Sequence, residues 1–305
     1  MLVALPATDP GLLGAVERML AGGPTLAPLP PDPAATLAML CPNEPVIEPD
    51  AGLIVATSGS TGAPKGVVLS RAAIAAGVRA THRRLGGPGN WTLAVPAHYV
   101  AGIMVIARAV AAGTTLFTTA PDLADLPDLS RGVSRRNYLS LVPTQLVRAL
   151  DQPALVARLA RYDAILLGGA AADPAVLARA RTAGVRVVTT YGMSETSGGC
   201  VYDGVPLDGV TVDLTPLPRA SPDLHHDRTA GRVSITGPVV FSGYRLRPDL
   251  TAQVLTSAHS LRTNDRATWV AGRLQVLGRL DDVVVCGGVN VDLAAVEKAL
   301  KVMDP

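Results

Sequence analysis

The chain has 305 residues, with 27 basic and 25 acidic side chains and a formal net charge of +2 at pH 7. Hydrophobic residues make up 48% of it and charged residues 17%, so it can bury enough apolar surface to fold and is not an intrinsically disordered protein. Its near-neutral charge provides no strong field that would attract nucleic acid or a charged membrane surface. We therefore expect neither as a partner. The length corresponds to about two domains, or to one large α/β body with appendages.

The cysteines and the apolar segments indicate the cellular compartment of the protein. Cys41, Cys200 and Cys286 are far apart and lack the spacing of a zinc site or a redox pair, so we expect free thiols in a reducing cytoplasm. Residues 1–10 lack the basic and apolar regions of a signal peptide. The apolar stretch over 100–116 contains one arginine and is shorter than a membrane span, so it predicts a buried helix followed by a strand.

Short apolar runs alternate with helical patterns along the first two thirds of the chain. The apolar runs predict strands over residues 53–56, 67–69, 91–95, 138–142, 164–167 and 185–189. The helical patterns predict helices over residues 11–20, 71–85, 143–150 and 174–182, and a proline-rich connector covers residues 22–33. Ser70 is a suitable N-cap for the second helix, and Pro143 suits the first turn of the third. Strands separated by helices of about ten residues predict a mostly parallel sheet covered by helices.

The residue pattern changes after Gly199. Residues 200–278 contain short apolar stretches between proline and glycine turns, which predicts an antiparallel, β-rich subdomain. We expect residues 1–199 to form an α/β core that shares one domain with this subdomain. Residues 279–305 are expected to form a hinge and the truncated start of a small domain, because a helix predicted over 293–300 has no packing partner after it.

A loop rich in glycine and hydroxyl residues has the chemistry of a phosphate site. Residues 57–66 read TSGSTGAPKG, between two predicted strands. Glycines let backbone amides approach an anion, hydroxyls donate hydrogen bonds to phosphate oxygens, and Lys65 adds a positive charge. The segment is not a Walker A loop, because Gly66 follows the lysine where that motif has serine or threonine. A flexible turn is the alternative for such a composition.

A second segment, TYGMSET over residues 190–196, follows the last strand predicted for the parallel sheet. Ligands bind at the carboxyl ends of strands in open α/β sheets. Tyr191 offers a flat face for a base, Ser194 a hydroxyl for phosphate, and Glu195 a carboxylate for Mg²⁺. Taken alone, such a segment is common and often has only a structural role.

Two further acidic motifs occur near the end of the chain. Asp265 can accept hydrogen bonds from both hydroxyls of a ribose, although an aspartate considered on its own more often lies in a solvated turn. Residues 278–282 read GRLDD, in which Arg279 can bond a ribose or a phosphate. The two consecutive aspartates stand at the change in composition and suit a linker.

In this order and spacing, the four motifs resemble those of the acyl-adenylate-forming superfamily, which includes acyl-CoA synthetases, peptide-synthetase adenylation domains and luciferases. The resemblance covers residues 50–300 and implies helix-covered, mostly parallel sheets with a β-rich subdomain shaped as a distorted barrel. The segments SLVPTQL over 140–146 and ILLGGAA over 165–171, with a compact N-terminal half, are most similar to the o-succinylbenzoate–CoA ligases of menaquinone biosynthesis.

This resemblance implies an AMP-forming acid–CoA ligase that uses ATP, Mg²⁺ and coenzyme A. The acid would first become an acyl adenylate with release of pyrophosphate, and the thiol of coenzyme A would then displace AMP. Two alternatives stay open: a ligase for another aryl or acyl acid, and a non-catalytic module that binds a nucleotide or an acyl group. A homodimer is the commonest assembly for such a protein.

The resemblance also assigns residues to the parts of ATP. The β- and γ-phosphates fall to Ser58, Gly59, Ser60, Thr61, Gly62 and Lys65. Adenine is placed against Gly168, Gly169, Ala170, Thr190 and Tyr191. Ser194 would meet the α-phosphate and Glu195 the Mg²⁺, and these two with Lys65 would act by positioning and charge neutralisation. The ribose would be held by Asp265 and Arg279, and Asp281 would be the hinge.

The acid substrate is assigned to His98, Tyr99, Thr144 and Gly192. Relatives carry an aromatic or histidine gate three residues after a proline, a place that Tyr99 occupies here, so either His98 or Tyr99 is the gate. The superfamily also has a C-terminal domain with a catalytic lysine, for which Lys298 and Lys301 come too early. We therefore expect either a fragment or a natural loss of that domain, with binding retained and turnover severely impaired.

Overall fold

The computed structural model describes residues 1–58, 64–129, 135–217 and 230–281, together with the backbone of residues 283–286 and 289–292. Within these ranges the helices are α1 (Leu12–Leu20), α2 (Ala34–Leu40), α3 (Arg71–Arg84), α4 (Val100–Ala112), α5 (Pro143–Leu150), α6 (Pro153–Leu159), α7 (Pro174–Thr182) and α8 (Pro248–Val254). The helices predicted over 11–20, 71–85, 143–150 and 174–182 correspond to α1, α3, α5 and α7. The Ser70 hydroxyl accepts from the backbone N–H of Ala73 at 3.0 Å and so caps α3 as expected.

The strands are numbered in chain order. They are β1 (Leu2–Pro6), β2 (Thr25–Leu29), β3 (Ala51–Ser58), β4 (Pro64–Ser70), β5 (Gly89–Leu93), β6 (Leu116–Thr118), β7 (Arg136–Leu141), β8 (Ala164–Leu167), β9 (Val187–Met193), β10 (Gly198–Tyr202), β11 (Val205–Pro206), β12 (Thr211–Pro216), β13 (Gly231–Thr236), β14 (Gly243–Tyr244), β15 (Leu255–Ser257), β16 (Ser260–Val270), β17 (Arg273–Arg279), β18 (Val283–Cys286) and β19 (Val289–Asp292).

The first sheet has the order β1-β2-β3-β4-β14. The three strands β1, β2 and β3 are parallel, and β4 and β14 are antiparallel to their neighbours. The proline-rich connector expected over 22–33 is therefore wrong in part, because all five residues of β2 are buried within it. Pro28 is tolerated since the ladder between β2 and β3 is limited to Leu26 and Leu53, which leaves the missing N–H of the proline without consequence.

The second sheet has the order β11-β10-β9-β8-β7-β5-β6. The five strands from β9 to β6 are parallel, as predicted, and β10 and β11 add an antiparallel edge. Strand β9 continues beyond its expected end at Thr189 as far as Met193. The reason is the pairing: the ladder with β8 ends at Thr189, and residues 190–193 pair instead with β10. The segment 190–196 thus begins in a strand and ends in a 3-10 turn over Ser194–Thr196.

The third sheet is antiparallel, with the order β12-β13-β16-β15 and with β17 paired to β16. The expected antiparallel character is present between Thr211 and Arg279, and α8 is a helix that the sequence pattern did not predict. Strands β10 and β11, also placed by sequence in the β-rich part, pair in the second sheet. The proposed division at residue 200 stays a prediction. Strands β18 and β19 form a hairpin, and the helix predicted over 293–300 lies outside the described residues.

Helix α4 lies at the centre of the core, as the apolar stretch over 100–116 predicted. Its residues Gly102 to Ala109 are all buried. It packs on α1 and the first sheet on one side and on the second sheet, including Trp91 of β5, on the other. Among the described helices, none combines the length and the apolar character needed to cross a membrane. The architecture is the α/β class expected from the motifs.

The two cysteines whose side chains are described are free thiols. Cys41 is exposed, whereas Cys200 is buried, and burial raises the pKa of the Cys200 thiol to about 12. A thiol with such a pKa stays protonated at neutral pH and is unreactive. The side chain of Cys286 is outside the described part of the chain.

Candidate functional site

Four of the expected ligand-binding residues line one cavity at the carboxyl ends of β7, β8 and β9. The cavity has a volume of about 130 Å³, and Gly168, Gly169, Thr190 and Gly192 contribute to its wall. The backbone approaches closely here, because a Cβ atom on Gly192 would lie 2.2 Å from the Gly198 carbonyl oxygen. Glycine at this position therefore allows β9 and β10 to pair directly behind the cavity.

A buried arginine, Arg108 of α4, lines the same cavity. It is 3% exposed, and its Nε atom donates no hydrogen bond. The guanidinium carbon lies 5.0 Å from the centre of the Trp91 ring, and the Trp91 indole N–H donates to His82 Nε2 at 3.4 Å. Burial, with a contribution from Arg108, lowers the pKa of His82 to about 4, so this histidine is neutral and adds no second charge. Within the described ranges, no carboxylate pairs with Arg108.

Three residues expected around adenine and ribose come together between the second and third sheets. The Tyr191 hydroxyl donates to Asp265 Oδ2 at 2.7 Å, although the two residues are 74 positions apart. Burial, followed by the Asp265 charge, raises the pKa of the Tyr191 phenol, which keeps it protonated as a donor. Asp265 lies in β16 and not in a turn, directly opposite Arg279 of β17.

The side chain of Arg279 is turned toward the expected hinge. Its Nε and Nη2 atoms donate to the two Asp281 carboxylate oxygens at 2.9 and 2.7 Å. These hydrogen bonds lower the pKa of the Asp281 carboxyl. The arginine expected at the ribose and the aspartate expected at the hinge are thus direct partners.

The expected phosphate loop connects β3 to β4. Gly59, Ser60, Thr61 and Gly62 lie outside the described residues, whereas the ends of the loop are described. The backbone of Ser58 pairs with Pro64, and Lys65 pairs with Thr57. The Lys65 ammonium lies 5.5 Å from the centre of the Tyr244 ring.

The 3-10 turn after β9 carries the other expected catalytic residues. Ser194 is buried, and Glu195 is half-buried. Glu195 Oε1 accepts a hydrogen bond from the Tyr244 hydroxyl at 2.7 Å. Burial, followed by the Glu195 charge, raises the pKa of the Tyr244 phenol, so it remains a donor. Tyr244 therefore touches both Lys65 and Glu195.

Glu195 is suited to a magnesium ion that arrives with a nucleotide. The described residues contain no group of three or more histidine, cysteine or carboxylate side chains arranged around a metal. Mg²⁺ commonly takes one or two protein carboxylates and fills its other positions with phosphate oxygens and water. A single carboxylate near Lys65, at the end of the expected phosphate loop, suits that mode of binding.

The residues expected at the acid substrate are separated. His98 is half-buried and lines a second cavity of about 480 Å³, between the carboxyl ends of strands from the first and second sheets. Its ring lies 4.1 Å from that of Tyr99, which is 56% exposed at the N-cap of α4. Burial lowers the pKa of His98. Thr144 and Ala170 are exposed and line neither cavity, whereas Gly192 lines the first.

Sequence reasoning missed Arg108 and Tyr244. Only Arg108 had a signal in the sequence. Arg108 is the one charged residue in an apolar helix, where a buried charge calls for a reason. Tyr244 follows Gly243 at a turn, and its contacts with Lys65 and Glu195 arise only when β14 joins the first sheet.

Comparison with known proteins identifies the family of the chain. Residues 16–245 match the family described as AMP-binding enzyme. The chain is 42% identical over 301 residues to the probable 2-succinylbenzoate–CoA ligase of Mycobacterium tuberculosis, covering 95% of this chain and 74% of that protein. It is 30% identical over 247 residues to the 2-succinylbenzoate–CoA ligase of Escherichia coli, covering 80% of this chain and 51% of that protein.

Solved structures show the same fold. The o-succinylbenzoate coenzyme A synthetase (MenE) from Bacillus subtilis, in complex with ATP and magnesium ion, superimposes with a TM-score of 0.69 at 24% identity, over 82% of this chain and 54% of that one. The amide bond synthetase McbA from Marinactinospora thermotolerans has a TM-score of 0.66 at 28% identity, over 80% and 52%. The chain spans about half the length of these two proteins. By sequence match and fold, the chain belongs to the AMP-binding enzyme family.

Proposed function

We propose that the chain provides the nucleotide and acid sites of an ATP-dependent ligase that joins 2-succinylbenzoate to coenzyme A. The observation that carries this proposal is Arg108, a buried cation on the wall of the cavity beside Gly192. The relatives named 2-succinylbenzoate–CoA ligases support the choice of acid. The resemblance in the motifs supports ATP, Mg²⁺ and coenzyme A as the other reactants.

The reaction proceeds in two steps. A carboxylate oxygen of the acid attacks the α-phosphorus of ATP, the new oxygen–phosphorus bond forms, and the bond to the β-phosphate breaks as pyrophosphate leaves. The thiol of coenzyme A then attacks the acyl carbon, loses its proton and displaces AMP. Lys65 holds the phosphates that leave, Ser194 donates to the α-phosphate, and Asp265 orients the ribose. Glu195 would hold Mg²⁺, which would neutralise phosphate charge when bound.

Arg108 accounts for the choice of a dicarboxylic acid. A cation that is 3% exposed, with an Nε atom that has no acceptor, gains free energy when an anion enters the cavity beside it. 2-Succinylbenzoate carries two carboxylates, so one can react at the α-phosphate while the other pairs with Arg108. A monocarboxylic acid can satisfy only one of these two sites.

Acid selectivity tests the proposal. Pyrophosphate release would be measured on the longest natural chain that carries this sequence, with 2-succinylbenzoate and with its analogues 3-benzoylpropanoate and 2-butanoylbenzoate, each lacking one carboxylate. Arg108→Met should lower kcat/KM for 2-succinylbenzoate by about 10- to 100-fold, and for a monocarboxylate that still reacts by much less, because a hydrogen-bonded charge pair is lost. Arg83→Met, which changes an exposed arginine paired with Asp208, is the matched control. A parent enzyme with no preference for the dicarboxylate would contradict the proposal.

A further inference from the structure

Tyr244 connects the two parts of the site that the sequence motifs describe separately. Its ring lies under the Lys65 ammonium at 5.5 Å, and its hydroxyl donates to Glu195 Oε1 at 2.7 Å. Lys65 stands at the end of the phosphate loop, and Glu195 stands in the turn after β9. One 8% exposed side chain therefore contacts a cation and an anion from different sheets.

The segment that carries Tyr244 is anchored on several sides. The backbone N–H of Ser242 donates to the Val68 carbonyl at 2.8 Å, and that of Arg245 donates to the Gly66 carbonyl at 2.7 Å. The Thr251 hydroxyl of α8 accepts from the Tyr244 N–H at 2.9 Å.

The turn that carries Glu195 is tied to the same segment. The Phe241 N–H donates to the Glu195 carbonyl at 2.9 Å, and the Phe241 and Tyr244 rings pack edge to face with centres 4.9 Å apart. Such a support fixes the Tyr244 side chain more firmly than a loop residue would be fixed.

We infer that Tyr244 is a positioning residue, which holds the Glu195 carboxylate and the Lys65 ammonium at a fixed separation for magnesium-bound ATP. The inference rests on the proposed function, since it needs ATP and its metal in this site. The hydroxyl restricts the rotation of the Glu195 carboxylate, and the face of the ring attracts the Lys65 ammonium. The Tyr244 hydroxyl therefore acts on the metal through Glu195, and the Tyr244 ring acts on the phosphates through Lys65.

Two substitutions separate these halves. Tyr244→Phe keeps the ring and removes the hydroxyl, so the affinity for ATP with Mg²⁺ should fall by about tenfold while the affinity for metal-free ATP is unchanged. Tyr244→Leu removes both, so the affinity for metal-free ATP should also fall, by about threefold. Titration calorimetry with and without Mg²⁺ gives both affinities. Thermal unfolding of each variant reports on folding.

Tyr162→Phe is the matched control, because the Tyr162 hydroxyl makes a buried hydrogen bond of 2.9 Å with Thr92 and does not contact the site. It should leave both affinities unchanged. In a Glu195→Gln background, Tyr244→Phe should have no further effect on the ratio of the two affinities, since the partner is already altered.

The outcomes are distinct. A parent protein that binds no ATP with Mg²⁺ would overturn the proposed function and this inference together. A parent that binds it, with Tyr244→Phe lowering both affinities equally or neither, would overturn the role of Tyr244 alone. An effect of Tyr244→Phe that persists in full in the Glu195→Gln background would also overturn it.

Discussion

Arg245 and Arg108 are both buried, at 1% and 3% exposure, but their guanidinium groups have different surroundings. Arg245 donates to four backbone carbonyl oxygens, those of Leu40, Cys41, Glu44 and Pro45, at 2.6 to 3.2 Å. Arg108 packs on Trp91 and presents itself to a cavity, with its Nε atom unsatisfied. A buried cation whose hydrogen bonds are all within the fold stabilises the fold, whereas one that faces an open space is suited to a ligand.

The largest effect on stability is expected when Arg245 is substituted. Arg245→Met leaves four carbonyl groups without their donor, so the free energy of unfolding should fall by about 4 kcal/mol. Urea denaturation followed by circular dichroism measures this. Arg247→Met, two residues away and exposed, is the control and should leave the midpoint unchanged. An equal, small loss of unfolding free energy in both variants would show that the hydrogen bonds from Arg245 to the four carbonyl groups contribute little to stability.

A smaller effect is expected from the histidine near Arg108. Burial and Arg108 hold the pKa of His82 at about 4 in the folded chain, below its ordinary value of 6.5. The unfolded chain therefore takes up a proton on His82 first as the pH falls. His82 therefore makes its full contribution to the free energy of unfolding above pH 6.5. That free energy should fall by about 3 kcal/mol as the pH is lowered toward 4.

Denaturation curves between pH 4 and 7 check this expectation. His82→Gln should remove that part of the pH dependence, and Arg108→Met should reduce it, because the charge that opposes protonation is gone. A pH profile identical in the parent and in His82→Gln would place the acid sensitivity elsewhere.

The smallest effect on stability is expected from Arg108→Met itself. Methionine has a similar length and relieves the desolvation of an incompletely paired cation, so the free energy of unfolding should rise or change by less than about 1 kcal/mol. Denaturation of this variant beside Arg245→Met compares the two arginines directly. A loss of several kcal/mol for Arg108→Met would mean that both arginines serve the fold.

The sequence predicted elements best where local signals and burial agree. Ser70 and Pro143 predict the starts of α3 and α5, and the alternation of strands and helices predicts the parallel sheet. Strand β2 and helix α2 were missed because Pro28 and Pro33 read as loop residues. Tertiary context overrides that local preference, since β2 completes a sheet whose other strands lie tens of residues away.

Motif residues were easier to find than the residues that support them. The carboxylates of Glu195 and Asp265 belong to recognisable segments, and each accepts a hydrogen bond from a tyrosine hydroxyl. The sequence predicts Tyr191 as a flat surface for a base and not as a hydrogen-bond donor to Asp265. It gives no prediction for Tyr244. A contact between residues 49 or 74 positions apart leaves no trace in local spacing, so sequence patterns alone do not reveal such partners.

The unequal lengths of β8 and β9 shape the wall of the first cavity. β8 ends at Leu167, while β9 continues to Met193 with β10 as its partner. Residues 190–193 of β9 therefore extend past the end of β8, and Thr190 and Gly192 line the cavity at this place. In the proposed function, the acid would lie against this extension of β9, so the backbone of the strand would form part of its site. Gly192 belongs both to the cavity wall and to the ladder with β10, so any side chain placed there would disturb the strand pairing together with the wall.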